Sequence, residues 1–355
     1  MPSHEAPSGR EGRPPRRVRY AGKNPKRFSD RYKEHAPERF PETIGKVLAS
    51  GRTPAGSHRP VMVAQVLAAL DPRPGETAVD ATLGHGGHAE RILERILPGG
   101  RLLGLDVDPR ELPRARERLL ALGVPEGCLL TRRTNHAGLS RALAVAGLGL
   151  ADVVLADLGC SSMQLDDPAR GFTFKVDAPL DLRMNPDHGQ PASALLARLD
   201  ADELAARLRS LGDEPHAQEI ARALKAARPP VTRTVEAARI VREALQSLGR
   251  SRLADPVETS VRRVFQTLRI LVNDELTALA AFLAQLPDCL APGGRVAILT
   301  FHSGEDRLVK HAMRDHARIG VYEEWSRDPV RPGADEVRAN PRASCAKLRW
   351  ARRPR

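Results

Sequence analysis

The 355-residue sequence predicts an α/β protein, a doubly wound parallel sheet with an inserted helical domain, and three observations carry the prediction. After His58, short apolar runs bounded by turn residues alternate with amphipathic segments of helical period, the pattern of strands buried on both faces and joined by crossover helices. That alternation stops at about Gln164 and resumes only near Gly293. The stretch between holds Ala- and Leu-rich helical periods such as ADELAARLRSL and AQEIARALKAA, which read as a helical insertion into the α/β domain.

Taken in chain order, residues 1–56 are rich in Pro, Gly, Arg and Lys, with RPPRRVRYAGKNPKRF at their centre, and hold no sustained period. A basic, disordered extension is expected there. Tyr20, Phe28, Tyr32 and Phe40 sit among its cations, so the segment reads either as a solvated tail or as an arm that grips RNA by stacking on bases. The first part of the α/β domain is expected over 57–165, with TAVDA, RLLGLD, CLLT and DVVLAD as strands. Between the first of them, Ala89, Ile92, Leu93 and Ile96 fall on one helix face, and Ala115, Leu119 and Leu122 do so again. The insertion is placed at 166–259 and the second part of the α/β domain at 260–355. There one long helix, roughly 260–286, is expected to lead through a turn at Pro292, Gly293 and Gly294 into the strand RVAILTF. The last segment, CAKLRWARR, alternates Ala346, Leu348 and Trp350 with cations, as an edge strand does.

Composition narrows the function classes. With 41% hydrophobic residues the chain can bury a sizeable core. Lys and Arg number 56 against 44 Asp and Glu, a formal charge of +12 with a pI near 10.2, which favours a polyanionic partner and puts nucleic acid first. Cys128, Cys160, Cys289 and Cys345 lie far apart with no C-x-x-C pair, which excludes a disulfide scaffold and a Cys-built zinc site; no metal is expected. The sequence shows no run of about 18 apolar residues and no signal-peptide core at its start, so a cytoplasmic protein without a membrane partner is expected.

The strongest local signal is TAVDATLGHGGHAERIL, a strand running into a glycine-rich turn (Gly84, Gly86, Gly87) that opens a helix. Such glycines let the backbone approach a ligand and adopt positive φ, although a plain strand-to-helix turn uses them too. Asp106, 22 residues after Gly84, ends the next apolar strand, where a carboxylate can accept from both ribose hydroxyls of a nucleoside; the rival role for Asp106 and Asp108 is a helix cap before Pro109. The order Asp80, Gly84, Gly86, Gly87 departs from the G-x-G-x-x-G of a pyrophosphate site, and its acidic start suits a cofactor with an amino group and a sulfonium. S-adenosyl-L-methionine is therefore favoured over NAD. DVVLADLGCSSMQLDD places Asp157 at the sheet's carboxyl edge, at the expected switch point, either to contact cofactor or acceptor or to cap a turn with Ser161. RVAILTFHSGEDRLVKH brings Phe301, His302 and Ser303 to the same edge, with nothing in the spacing that makes His302 a base.

Together these segments resemble the bacterial 16S ribosomal RNA cytosine-N4 methyltransferases of the MraW type. The likeness covers 58–310 and resumes at 340–349, carried by HRPVMVAQVL, VDATLGHGGHAERIL, GRLLGLDVDP, LADLGCSSMQLDDPARGFTFKVDAPLDLRMNP, RRVFQTLRILVNDEL, LTFHSGEDRLVK and NPRASCAKLR. It implies a Rossmann-like class I methyltransferase sheet, S-adenosyl-L-methionine as cofactor, and 16S ribosomal RNA within the small subunit as partner, with the oligomeric state open and a dimer among the options. It implies cofactor contacts at the Gly84 loop, at Gly86, Gly87 and His88, at Asp106, at Asp157 and Gln164, and at the position of His136. Three features depart from the resembled pattern: His136 replaces an aromatic, typically Phe; Gly304 replaces Leu; and the typical member lacks the basic extension.

The expected chemistry is methylation of an exocyclic amine whose lone pair is delocalised into the cytosine ring, so the site must hold the amine in line and accept its hydrogens. Asp157, or the carbonyls beside it, is the expected acceptor, with His302 and Ser303 shaping the pocket. Phe172 and Phe174 either receive RNA or fill a core. The rivals are cytosine-C5 methylation with Cys160 as nucleophile, a non-enzymatic RNA-binding assembly factor, and, third, an NAD-dependent dehydrogenase.

Overall fold

The computed structural model describes residues 60–249 and 253–355, so the extension expected over 1–56 lies outside the described residues. Its strands are β1 (Thr77–Asp80), β2 (Arg101–Asp106), β3 (Leu129–Arg133), β4 (Ala151–Asp157), β5 (Leu290–Thr300), β6 (Glu324–Trp325) and β7 (Lys347–Arg352). They form one sheet in the order β3-β2-β1-β4-β5-β7-β6. The first five are parallel, and β7 runs antiparallel to both β5 and β6. The helices are α1 (Val63–Leu70), α2 (Gly87–Ile96), α3 (Glu111–Ala121), α4 (Leu139–Val145), α5 (Ser162–Asp166), α6 (Ala192–Arg198), α7 (Ala201–Gly212), α8 (Ala217–Ala226), α9 (Thr234–Ser247), α10 (Val257–Asn273), α11 (Glu275–Cys289), α12 (Ser303–Arg318) and α13 (Ala334–Ala339).

The apolar runs are continuous because successive residues serve different cores. Ala78, Val153 and Leu155 pack with α1, α2 and α3 on one face, while Val79, Val154 and Ala156 pack with α4, α11 and α12 on the other. The helices of the stretch expected as an insertion bury their faces against one another and against α10 of the following stretch: Leu204 and Leu208 of α7, Ile220 of α8, Val241 of α9 and Phe265 of α10 form a third core. Helix α7 starts on a capping box in which the Glu203 amide donates to Asp200 and the Asp200 amide to Glu203, a device worth about 1 kcal/mol.

Three elements differ from the sequence expectation. The single helix expected at 260–286 is two, α10 and α11, because Asp274 takes a left-handed φ of 50° and Asn273 turns its side-chain amide onto the carbonyls of Leu182 and Arg269. The Pro-Gly-Gly turn is absorbed into β5 as an irregularity, where the register against β4 jumps from Leu290 to Arg295. And β7 is interior, not an edge: Arg349 is 2% exposed, its guanidinium 2.6 Å from Asp306, so a cation that reads as solvent-facing is a buried ion pair. Among the described residues no helix is long and apolar enough to cross a membrane.

Candidate active site

The sheet delivers three carboxylates side by side. Asp106, Asp80 and Asp157 end β2, β1 and β4, which are neighbours, so all three stand at the carboxyl edge where open α/β sheets bind ligands. Asp80 is buried, and that burial pushes its carboxyl up to about 7 against the pull of His88 and the Thr82 amide. Asp106 is pushed up to about 6 for the same reason, although the amides of Asp108 and Gly84 donate to its two oxygens at 2.8 and 2.7 Å.

Between β1 and α2 the glycines are required by space. Gly86 has φ 80°, and a Cβ on Gly87 would stand 2.4 Å from Cγ of Pro60. The loop is fastened across the sheet: the Asp157 amide donates to the Thr82 hydroxyl at 2.6 Å, and the Arg118 guanidinium donates to the His85 carbonyl. His88, 6% exposed, brings Nε2 within 3.6 Å of Asp157 Oδ2 without a hydrogen bond, and Asp157 Oδ1 is also buried without a partner. Buried polar atoms without partners are costly unless a ligand satisfies them. Orphaned atoms among three carboxylates at a glycine turn fit a cationic nucleoside cofactor.

His136 opens a short 3-10 turn beyond β3, its ring edge-on to Phe282 at 5.4 Å and 79°. Burial drives its imidazole down to about 4, so at neutral pH the ring is uncharged. Gln164 is buried and engaged at both ends of its amide: it completes a capping box with Ser161 at the start of α5 and donates to Asp108 Oδ2 at 2.9 Å. Ser161 thus caps α5 with Gln164, and Asp157 is not part of that turn.

His302 is the N-cap of α12 in a capping box with Glu305, whose Oε2 accepts from the amides of Phe301 and His302. Ser303 faces the insertion, donating its hydroxyl to Asp213 at the end of α7 at 2.7 Å. A Cβ on Gly304 would lie 3.2 Å from the His302 ring, so glycine leaves that ring room. Phe172 and Phe174 belong to the insertion's core, Phe174 packing on Phe265 at 5.1 Å.

A cluster that sequence reasoning missed lies beside His302. Arg269 forks onto Glu275 with both contacts at 2.8 Å and donates to Cys160 Sγ at 3.3 Å. Burial raises the Cys160 thiol above its ordinary value despite that guanidinium, which is the reverse of what a nucleophilic cysteine needs. Burial of Glu305 is outweighed by His302 and Arg269, which hold its carboxyl low. Glu275, His302 and Glu305 bring ligand-type atoms within 4.8 Å of one another, but both Glu275 oxygens are committed to Arg269.

A parallel sheet with a reversed β7 between β5 and β6, a glycine turn after β1 and carboxylates ending β1, β2 and β4 define a class I S-adenosylmethionine-dependent methyltransferase. The chain belongs to the MraW methylase family, whose model matches residues 55–354. Ribosomal RNA small subunit methyltransferase H 1 of Lachnoclostridium phytofermentans is 44% identical over 339 residues, 95% of this chain and 92% of that protein. Ribosomal RNA small subunit methyltransferase H 2 of Alkaliphilus metalliredigens is 44% identical over 339 residues, 95% of this chain and 97% of that one. Ribosomal RNA small subunit methyltransferase H of Halorhodospira halophila is 46% identical over 325 residues, 86% of this chain and 97% of that one. A match over 95% of the chain takes in part of the 1–56 extension, so the first two relatives have a counterpart to part of that segment.

Proposed function

We propose that the chain methylates the exocyclic N4 amine of a cytosine in 16S ribosomal RNA, acting in the cytoplasm on RNA within the small subunit. Membership of the family and the names of its relatives support the ribosomal RNA substrate. The observation that carries the chemistry is the pair of orphaned buried atoms, Asp157 Oδ1 and His88 Nε2, where β4 meets the cofactor turn.

When bound, S-adenosylmethionine supplies a methyl group on a sulfonium. Asp106 accepts from ribose hydroxyls, Gly86 and Gly87 let the backbone come close, and Asp80, beside Asp157, favours a positive charge. Asp157 accepts a hydrogen of the cytosine amine, which orients the nitrogen and returns lone-pair density to it. The cofactor, when bound, would give its methyl to the amine nitrogen and keep the bonding pair on sulfur, and Asp157 would take the proton the amine gives up and pass it to solvent. His302 fixes the turn after β5, and Ser303 ties that turn to the insertion, so both shape the acceptor pocket.

Incubation with methyl-labelled S-adenosylmethionine and unmethylated small subunits, followed by nucleoside mass spectrometry, is expected to place label in N4-methylcytidine. Label in 5-methylcytidine would overturn the assignment. Asp157→Ala is expected to lower kcat by about 10²–10³-fold. A loss below tenfold would move the acceptor role elsewhere.

A further inference from the structure

One buried cation lies outside the chemistry above. Arg170, 6% exposed, sits in the first loop of the insertion. Its Nη1 pairs with Asp108 Oδ2 at 2.8 Å, and its Nη2 donates to the carbonyl of Met184 at 2.7 Å and, more weakly, to that of Arg183 at 3.4 Å. Asp108 has no exposed surface; its other oxygen accepts from the amides of Arg110 and Glu111, and its own amide donates to Asp106. Asp106 in turn holds the Gly84 amide. On the far side, Met184 donates its amide to Asn273 Oδ1, at the junction of α10 and α11. A series of hydrogen bonds, closed by the Arg170–Asp108 ion pair, therefore runs from the cofactor turn to the helices of the insertion, and Arg170 is the residue that carries this series across.

A second observation shows that the strap at 182–184 is held in place by its surroundings. Leu182, 1% exposed, has φ 65°, a conformation that a leucine keeps only where its neighbours impose it. Its amide donates to the Arg170 carbonyl, and its carbonyl accepts from Asn273 Nδ2. Arg170 and Asn273 thus clamp the strap from opposite ends. A guanidinium can bridge a carboxylate and a carbonyl at once, which a single ammonium cannot do in the same fixed geometry.

We infer that Arg170 is a positioning residue that couples occupancy of the cofactor site to the affinity of the insertion for RNA. The inference rests on the reading of the insertion as the RNA platform. Ordering of Asp106 by a bound nucleoside stiffens Asp108, Arg170 and the 182–184 strap, and so favours the form of the insertion that receives RNA; linkage requires RNA to tighten the cofactor by the same factor.

The test compares wild type with Arg170→Lys, which keeps the charge beside Asp108 but loses the second arm, and with Asn273→Ala, which frees the strap from its other end. Affinity for unmethylated small subunits is measured with and without S-adenosylhomocysteine. In the wild type the cofactor product is expected to tighten the subunits about tenfold. In both variants that factor should fall towards one, with S-adenosylhomocysteine affinity in the absence of RNA within about threefold of wild type and kcat reduced without a rise in KM for S-adenosylmethionine. Tenfold coupling that survives in both variants would overturn the role of Arg170 and leave the platform reading intact. A wild type whose subunit binding is unaffected by substitutions on the exposed face of the insertion would overturn the platform reading, and the inference with it.

Discussion

At the sheet edge Asp80, Asp106 and Asp157 carry their carboxylates in or near the interior, raised or left partly unpartnered, whereas several ion pairs of the insertion lie at its surface. Arg239–Glu243 and Arg233–Asp177 are about half exposed on both sides, and pairs of that kind contribute about 0–1 kcal/mol each. The insertion's stability comes instead from an apolar core, with Glu214 as a rare buried carboxylate tied down by Ser260 and the His216 amide. Buried polar atoms without partners occur in both regions, but at the sheet edge they gather with the three carboxylates around one turn, whereas in the insertion they are scattered through an apolar core. Their responses to mutation and pH should differ accordingly.

The largest expected effect separates the two regions outright. Phe265→Ala removes the ring that packs on Phe174 in the third core and should cost about 3–5 kcal/mol of the insertion's stability. RNA methylation should be lost, while calorimetry finds S-adenosylmethionine affinity changed by less than about threefold. Parallel loss of both would show that the regions are one cooperative unit. Gly87→Ala reverses the pattern: its Cβ meets the Pro60 ring at 2.4 Å, and the overpacking, about 1–3 kcal/mol, should weaken cofactor binding at least about tenfold. An unchanged affinity would mean that Pro60 gives way freely.

The third prediction sharpens the contrast through pH. Asp80 and Asp106 have folded values raised to about 7 and about 6 from 3.8. The stability they contribute is fully present below the unfolded value and is lost as pH rises to the folded values, so the free protein should soften between about pH 4 and pH 7. A cationic cofactor favours the ionised carboxylates, so its affinity should rise over the same window; a flat profile would remove these groups from cofactor binding. The smallest effect belongs to Cys160→Ser. With the thiol held protonated by burial, activity should stay within about twofold, and complete loss would revive the C5 route.

What the sequence made legible follows from the range of the forces involved. The parallel strands could be read because both faces are apolar, and the glycine turn because its steric demands are local. The place of β7 was hidden because Arg349 is neutralised by Asp306, 43 positions away. The break between α10 and α11 depends on an amide bonding a carbonyl 91 positions away, and the cluster at Cys160 on a guanidinium 109 positions away. No periodicity reports such partners. The partner of Ser303 was hidden in the same way: its hydroxyl reaches Asp213, which no local pattern could pair with it.

The amide of Met62, just before α1, donates to the carboxylate of Glu336 on α13, 274 positions later, and Met62 itself holds a left-handed φ of 56°. Pro60, two residues before it, is what covers Gly87. The interior strand β7 follows later still. During synthesis the nascent chain can therefore neither complete this sheet nor anchor the segment that covers the cofactor turn until Glu336 and β7 have been translated.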